Sequence, residues 1–202
     1  MSKAYNRVEW SFLHSMLLKL GFSILWTNKI MDCVTTVSFS VLRNGRPEGV
    51  IHPTRGLRQG CPLSPYLFLV CAKGLYAFLH QAESCGSIAG IKCRRSSPRI
   101  SHLFFADDSL LFTRANDSDC LALKGLFENY LNASGQLINL QKLAVAFSSQ
   151  VSPSQRNYLV GRLGVSVVPC HTRYLGLPCF AGKNRSRLFA SIKDKIVQCF
   201  RG

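Results

Sequence analysis

The stretch FFADDSLLF, residues 104–112, places two adjacent carboxylates, Asp107 and Asp108, in a window that is otherwise almost wholly apolar. The chain has 202 residues and only ten acidic side chains, so a neighbouring pair in such a setting needs a physical reason. Two ionised carboxylates about 5 Å apart repel each other by roughly 3 kcal/mol at an effective dielectric constant of about 20. A divalent cation would remove that repulsion, whereas a solvated turn would only tolerate it.

The apolar residues on both sides of the acidic pair predict a β-hairpin. If the strands end at Ala106 and resume at Ser109, the two acids occupy a tight turn at the rim of a sheet. Mg²⁺ binds through one or two carboxylates plus substrate phosphates and water, and a third carboxylate from a neighbouring strand normally completes a two-metal site. The alternative is that Asp-Asp is ordinary polar turn chemistry, and this stretch alone leaves both interpretations open.

The charge balance points to a polyanionic partner. Lys and Arg number 25 against ten acids, a formal net charge of +15, while 47% of the residues are hydrophobic and 17% charged. This composition predicts a folded chain with a core. A basic excess on such a chain favours nucleic acid first, although an anionic membrane surface or ribosomal-type packing would give a similar composition.

The lack of a visible signal peptide and the cysteine spacing favour an intracellular protein, in the nucleus or the cytoplasm. No signal peptide is visible, and no uncharged stretch reaches the roughly 18 apolar residues of a membrane-spanning helix. The nine cysteines are odd in number and form no CxxC pair. This argues against a zinc ribbon or a secreted disulfide framework, and predicts mostly buried thiols in a reducing compartment.

Hydrophobic periodicity predicts helices interleaved with hairpins, and hence an α+β fold with an antiparallel sheet. Asn44-Gly45 between alternating segments is a strong hairpin signal. Ser64 before Pro65 predicts a capped helix start, and Asp117 or Ser118 is expected to cap a helix that ends at Gly135. A strand is expected at 143–147, and helices at 7–20, 23–36, 64–81 and, with a basic amphipathic face, from Lys183 onward.

The loop TRGLRQGCPLSPYLF, residues 54–68, is the second candidate for chemistry. Gly56 and Gly60 allow the backbone to approach a ligand closely. Arg55 and Arg58 supply positive charge, Gln59 can both donate and accept hydrogen bonds, and the following helix N-terminus favours an anion. A stiff Gly/Pro connection between a hairpin and a helix is the equally good alternative for this loop taken alone.

Taken together, RQGCPLSPYLF and the FADD that follows about forty residues later resemble the reverse transcriptase family. The resemblance is specifically to the LINE-type (non-LTR) retrotransposon enzymes, in a plant-like variety. Three further motifs match in the right order: MSKAYNRVEW at the start, SGQLINLQKLAVAFS at 134–148 and RYLGLP at 173–178. The resemblance covers essentially the whole chain.

The resemblance implies a polymerase palm, an antiparallel sheet packed on helices, with a partial helical thumb. Residues 1–150 would form the palm, and residues 151–202 the palm end and the partial thumb or connection. The implied activity of the parent protein is RNA-directed DNA synthesis by two-metal nucleotidyl transfer. Its cofactor would be Mg²⁺, with Mn²⁺ as an alternative. Its partners would be an RNA template, a DNA primer, deoxynucleoside triphosphates and the rest of a retrotransposon polyprotein, with no membrane.

The resemblance also assigns roles to individual residues. Asp107 would be the direct metal ligand and Asp108 its support, and Lys142 would lie near the leaving pyrophosphate. Tyr5 would stack under the incoming sugar and exclude a 2′-hydroxyl. The nucleotide and template pocket would be lined by Arg55, Arg58, Gln59 and Gly60.

One departure from the family pattern bears on activity. The first palm motif of the family carries the other essential metal-binding aspartate, and that position aligns immediately before Met1. The fingers that hold template and triphosphate are also absent. The chain by itself is therefore expected to be inactive. Two alternatives remain at this point: a non-enzymatic, basic nucleic-acid-binding remnant, and a pseudogene product that does not fold stably.

Overall fold

The computed structural model describes residues 4–92, 94–105, 108–139, 143–168, 173–174, 177–178 and 190–201. The chain divides into two compact units, residues 1–139 and 140–202. Within the described residues, helices alternate with short two-stranded pairings, four of them antiparallel and one parallel. This confirms the predicted α+β class with small antiparallel sheets.

The first unit contains four helices, a 3-10 turn and three antiparallel hairpins. In chain order its elements are a 3-10 helix (Tyr5–Arg7), α1 (Trp10–Lys19), α2 (Ile24–Thr35), β1 (Phe39–Arg43), β2 (Arg46–Ile51), α3 (Ser64–Ser84), β3 (Ile91–Lys92), β4 (Arg99–Ile100), β5 (His102–Phe105), β6 (Asp108–Leu111) and α4 (Asp117–Ser134). The pairs are β1 with β2, β3 with β4, and β5 with β6.

Helix α3 is the central element of this unit, because both buried clusters lie against it. Its first half packs with α1 and α2, and this cluster includes Leu13, Leu17 and Phe68. Its second half packs with α4 in a cluster around Leu79 and Tyr130, to which hairpin β5–β6 contributes apolar side chains. The two halves of one helix thus hold the N-terminal helices and the acidic hairpin in a single unit.

Several local predictions are confirmed. Asn44 and Gly45 both have positive φ, 50° and 77°, as a two-residue type I′ hairpin turn requires. Helix α2 lies within the predicted range 23–36, and the Ser23 side chain at its start accepts a hydrogen bond from the Trp26 backbone N–H. Helix α4 ends at Gly135, which adopts the left-handed conformation with φ of 70°.

Two predicted helix caps are wrong. The residue that caps α3 is Leu63, while the Ser64 hydroxyl is buried and donates to the Arg58 carbonyl over 2.6 Å. Helix α4 is capped by Asn116, whose side chain accepts from the Asp119 N–H, and not by Asp117 or Ser118. Ser64 does not cap α3 because its hydroxyl donates instead to the Arg58 carbonyl, which lies outside the helix.

Helix α1 begins three residues later than predicted, at Trp10 instead of Arg7. The carbonyls of Tyr5 and Val8 accept hydrogen bonds from the loop at residues 56–57, and the Glu9 N–H donates to the Ser134 carbonyl. Because these groups are bonded to distant segments, the backbone before Trp10 forms a 3-10 turn and an extended step.

The second unit is smaller. It contains β7 (Ala144–Val145), α5 (Pro153–Leu163), β8 (Ser166–Val167), β9 (Arg173–Tyr174), β10 (Leu177–Pro178) and α6 (Ala190–Arg201). The strand predicted at 143–147 is shorter, and it pairs in parallel with β8. The basic C-terminal helix predicted from Lys183 onward is confirmed over 190–201, and residues 183–189 lie outside the described residues. The predicted palm boundary at 150/151 stays a prediction.

Cysteine burial differs from the expectation. Of the six described cysteines, Cys71 and Cys120 are buried, Cys61 is half-buried, and three are exposed: Cys33, Cys85 and Cys199. Within the described ranges, no helix is both long and apolar enough to cross a bilayer.

Candidate functional site

The acidic hairpin β5–β6 begins its second strand at Asp108, which pairs with Phe105. The prediction that the strands end at Ala106 and resume at Ser109, with both acids in the turn, is therefore wrong by one position. Asp108 is the first residue of β6, and it is exposed. Residues 106 and 107, and with them the predicted direct ligand Asp107, lie outside the described residues.

The two faces of strand β5 differ. His102 and Phe104 face the unit, with ring centroids 4.9 Å apart, and His102 meets the edge of Tyr76 at 5.0 Å. Burial lowers the pKa of His102, an effect that the nearby Glu83 carboxylate opposes. Leu103 and Phe105 on the other face are exposed. One face of the hairpin thus anchors it, and the other is open.

Strand β5 and the residue before it are attached to α3 through two side-chain contacts. The Ser101 hydroxyl donates to the Glu83 carboxylate over 2.7 Å near the end of the helix, whereas His102 contacts Tyr76 two turns earlier. Phe104 packs in the cluster of Leu75 and Leu79, so the hairpin rests on the second half of α3. The loop that precedes α3 leads into the first half of the same helix.

Helix α4 and the end of the hairpin are joined through Asp119, a fully buried carboxylate. It accepts hydrogen bonds from the Thr113 hydroxyl, from the Ala89 N–H, and from the Arg114 guanidinium at 2.7 Å. Burial alone would raise the pKa of Asp119, but these donors outweigh it and hold the pKa at about 2. The chain after β6 is thereby fixed to the start of α4 and to the segment after α3.

The loop at residues 54–63 is docked on the N-terminal segment through its backbone. The Gly56 N–H donates to Val8 and the Leu57 N–H to Tyr5, both over 2.8 Å. Gly56 has φ of +93°, and a Cβ there would lie 2.9 Å from the Asn6 carbonyl oxygen, so only glycine fits. Leu57 is buried in the first cluster. The close approach at Gly56 is thus to the N-terminal segment of the chain itself, and the predicted approach of Gly56 and Gly60 to a ligand stays a prediction.

The predicted pocket residues come together around this docked loop. The Tyr5 ring stacks on Phe68 of α3 with centroids 4.9 Å apart. Arg55 forms an ion pair with Glu9 at 3.2 Å, and the Gln59 amide is 3.5 Å from the Asn6 side chain. The two remaining predicted residues, Arg58 and Gly60, lie exposed on the same loop.

The thiol of Cys61 lies in the same loop, just before α3. Backbone N–H groups of Leu63 and Ser64 hydrogen-bond to it and, with the charge of Arg58, lower its pKa. These groups create a locally positive potential at the start of α3. That potential favours an anionic ligand at the end of the loop.

A buried polar network, absent from the sequence predictions, holds the N-terminal segment in place. The Tyr130 hydroxyl donates to the Gln136 side chain over 2.8 Å, and the Gln136 amide donates to the Ala4 carbonyl. Burial raises the pKa of the Tyr130 phenol above its usual range. Tyr5 follows Ala4 directly, so Gln136 positions the backbone that carries the predicted sugar-contacting ring.

Only one of the two predicted metal ligands lies among the described residues. Asp108 offers a hard, exposed oxygen ligand of the kind that Mg²⁺ prefers. Among the described residues, no three His, Cys, Asp or Glu side chains cluster as a metal site would require. Lys142 lies outside the described residues, as Asp107 does.

Comparison with known proteins gives one family. The profile described as Reverse transcriptase (RNA-dependent DNA polymerase) matches residues 1–179. Two sequences of Popillia japonica, both described as retrovirus-related Pol polyprotein from type-1 retrotransposable element R2, are 26% and 30% identical, each over 74% of this chain. An uncharacterized mitochondrial protein of Arabidopsis thaliana is 52% identical over 66 residues, 33% of this chain. The chain spans only 54%, 24% and 20% of the lengths of the mitochondrial protein and the two polyproteins.

Proposed function

The chain belongs to the reverse transcriptase family, and from that premise we propose that it is the palm part of an RNA-directed DNA polymerase of a non-LTR retrotransposon. In the parent protein it would supply the surface on which a primer, an RNA template and a deoxynucleoside triphosphate meet. The similarity to the R2 polyproteins supports the non-LTR assignment.

One observation carries this proposal: the docked loop and the acidic hairpin are both attached to α3, the loop at its first half and the hairpin at its second half. Tyr5 stacks on Phe68 in the first half of α3, while Ser101 and His102 contact Glu83 and Tyr76 in its second half. A nucleotide bound between them would meet carboxylates on one side and arginine on the other. Template-directed nucleotidyl transfer needs that combination, because the triphosphate is neutralised by cations while its sugar is positioned.

Within the proposal, each predicted residue has a role. Asp107 and Asp108 would hold Mg²⁺ or Mn²⁺, which would activate the attacking oxygen and neutralise the pyrophosphate. Tyr5, fixed by its stack on Phe68, would form the wall that excludes a ribose 2′-hydroxyl. Arg58 would bind triphosphate oxygens at the start of α3, and Lys142 would neutralise the leaving group.

The proposal is tested by metal-dependent nucleotide binding, which does not require catalysis. Mn²⁺ is titrated into the full chain with and without dTTP, and bound ion is followed by electron paramagnetic resonance. We expect weak Mn²⁺ binding that dTTP strengthens, because the ion then gains phosphate ligands. The double variant Asp107→Asn with Asp108→Asn should abolish the additional Mn²⁺ binding that dTTP produces.

The matched control removes two carboxylates elsewhere, at the exposed Asp32 on α2 and Asp194 on α6. Asp32→Asn with Asp194→Asn should leave the titration unchanged. Equal losses in both double variants would overturn the proposal, since net charge alone would then explain the binding. Primer extension on an RNA template is measured in parallel. Incorporation by this chain alone would contradict the expectation that it is inactive.

A further inference from the structure

A basic surface covers hairpin β3–β4 and the chain just beyond β6. We define it by five side chains: Lys92, Arg94, Arg95, Arg99 and Arg114. All five are exposed, and in the described ranges only Arg114 has a carboxylate at ion-pair distance. The hairpin is therefore a concentrated positive charge without internal compensation.

Two of these charges are placed against each other. Lys92 and Arg99 are directly opposite in the antiparallel register of β3 and β4. Like charges in such a cross-strand pair destabilise a hairpin. Residues 94–97 of the connection are nevertheless joined by hydrogen bonds, since the Ser97 hydroxyl and N–H both donate to the Arg94 carbonyl. The fold thus holds a repulsive arrangement that a bound polyanion would relieve.

A cavity of about 350 Å³ opens beside the basic surface. Its lining residues are Glu83, Gly86, Ile88, Ala89, Arg99 and Arg114. Ile88 is fully buried and provides an apolar floor, while two guanidinium groups and one carboxylate provide polar walls. The volume is at the lower end of the range for small-ligand sites and fits a single nucleotide. Arginine planes and an acceptor carboxylate suit an unstacked base.

The surface is separate from the proposed catalytic site. Ser101 contacts Glu83 on the cavity wall, and β5 runs away from that point toward Phe105. Four extended residues cover about 13 Å. The basic surface therefore lies beside the end of hairpin β5–β6 that is next to Ser101 and Arg114, and Asp108 lies at the other end.

We propose that the basic surface binds single-stranded RNA, with phosphates on Lys92, Arg94 and Arg95 and one unstacked base in the cavity between Arg99 and Arg114. A nucleotide-sized cavity among the charges favours nucleic acid over a lipid surface. The inference rests on the proposed function only for the choice of RNA as the polyanion. It assigns RNA a second contact, away from the site of synthesis.

The test measures the affinity of the full chain for a fluorescein-labelled single-stranded oligouridine by anisotropy across a series of salt concentrations. Arg94→Gln with Arg95→Gln should raise the Kd about tenfold and lower the salt slope by about 1.4, because two phosphate contacts are lost. The matched control, Lys29→Gln with Lys124→Gln, removes the same charge from exposed positions on α2 and α4. It should leave the slope unchanged.

A second variant tests the cavity. Arg99→Lys keeps the charge but removes the planar group, so it should keep the salt slope and raise the Kd at least about fivefold through lost stacking. Circular dichroism melts check that every variant folds.

Three outcomes would overturn the inference. The first is that the chain does not bind the oligouridine, and the second is that the two charge-matched double variants have equal effects. The third is that Arg94→Gln with Arg95→Gln weakens binding to phosphatidylserine vesicles but not to the oligouridine. None of these outcomes would change the result expected from the Mn²⁺ and dTTP titration. The two proposals therefore fail independently.

Discussion

Asp119 shows at the scale of one residue how this unit uses a buried charge. The carboxylate is fully buried, yet donors from three segments surround it: Thr113 and Arg114, the Ala89 N–H, and the Ser118 hydroxyl in the first turn of α4. A buried carboxylate without such donors would be strongly destabilising. With them, it ties the end of the acidic hairpin to α4.

The pKa of Asp119 predicts an acid-sensitive stability. Its folded-state pKa is about 2 against an ordinary value of 3.8, so the ionised form stabilises the fold. This contribution is complete above about pH 4 and is lost as the pH falls toward 2, a change of roughly 2 kcal/mol in the free energy of unfolding. Urea unfolding at a series of pH values measures it.

Asp119→Asn should remove that part of the pH dependence, and Asp32→Asn, at an exposed position on α2, should retain it. An unchanged pH profile in Asp119→Asn would contradict the assignment.

At the scale of the element, α3 packs closely against α1 at Gly74. A Cβ at this position would lie 2.7 Å from Cζ of Phe12 on α1. The Phe12 ring meets the edge of the buried Tyr130 ring, with centroids 6.0 Å apart, so it has little room to move. Helix α1 can therefore approach α3 this closely only because Gly74 has no side chain.

Gly74→Ala should destabilise the protein, whereas the same change at Gly125 should stabilise it. Both glycines are inside helices, where alanine is favoured by about 1 kcal/mol. At Gly125 in α4 a Cβ would meet no atom within 4 Å, so Gly125→Ala should show that gain alone. At Gly74 the overpacking costs about 1–3 kcal/mol and should reverse the sign. Parallel chemical denaturation of both variants decides; a gain at both sites would refute the close packing.

Element boundaries also show which features are predictable from sequence. The Asn44-Gly45 turn and the Gly135 stop are each set by residues within a few positions of one another, and the local pattern predicts both correctly. The late start of α1 and the behaviour of Ser64 depend on partners outside their own helices. Local patterns carry no information on such partners.

The candidate site divides in the same way. The resemblance identifies the docked loop and Tyr5, but it does not reveal the supporting network of Gln136 and Tyr130, because the bonds of that network join segments far apart in sequence. One signal for Asp119 is present in the sequence. It lies four residues before Leu123 on the apolar face of α4, and a carboxylate on a buried face requires compensating donors.

At the scale of the whole molecule, both described core clusters lie within the first unit. Every buried member of these clusters precedes residue 131. Strand β7, by contrast, pairs with β8 in the second unit, and the Val168 N–H donates to the Val145 carbonyl over 2.9 Å. A cut at the predicted palm boundary of 150/151 would therefore separate β7 from its partner, whereas a cut after Asn139 would not.

Truncation distinguishes these two boundaries. A chain ending at Asn139 should unfold cooperatively, because it keeps both clusters and the Gln136 network that anchors its N-terminal segment. A chain ending at Gln150 should gain no more than about 0.5 kcal/mol over it, since the added residues include a strand without its partner. Thermal and urea melts of the two truncations are compared with those of the full chain. If the longer truncation unfolds cooperatively and the shorter one does not, residues 140–150 belong to the palm core and the boundary lies at 150.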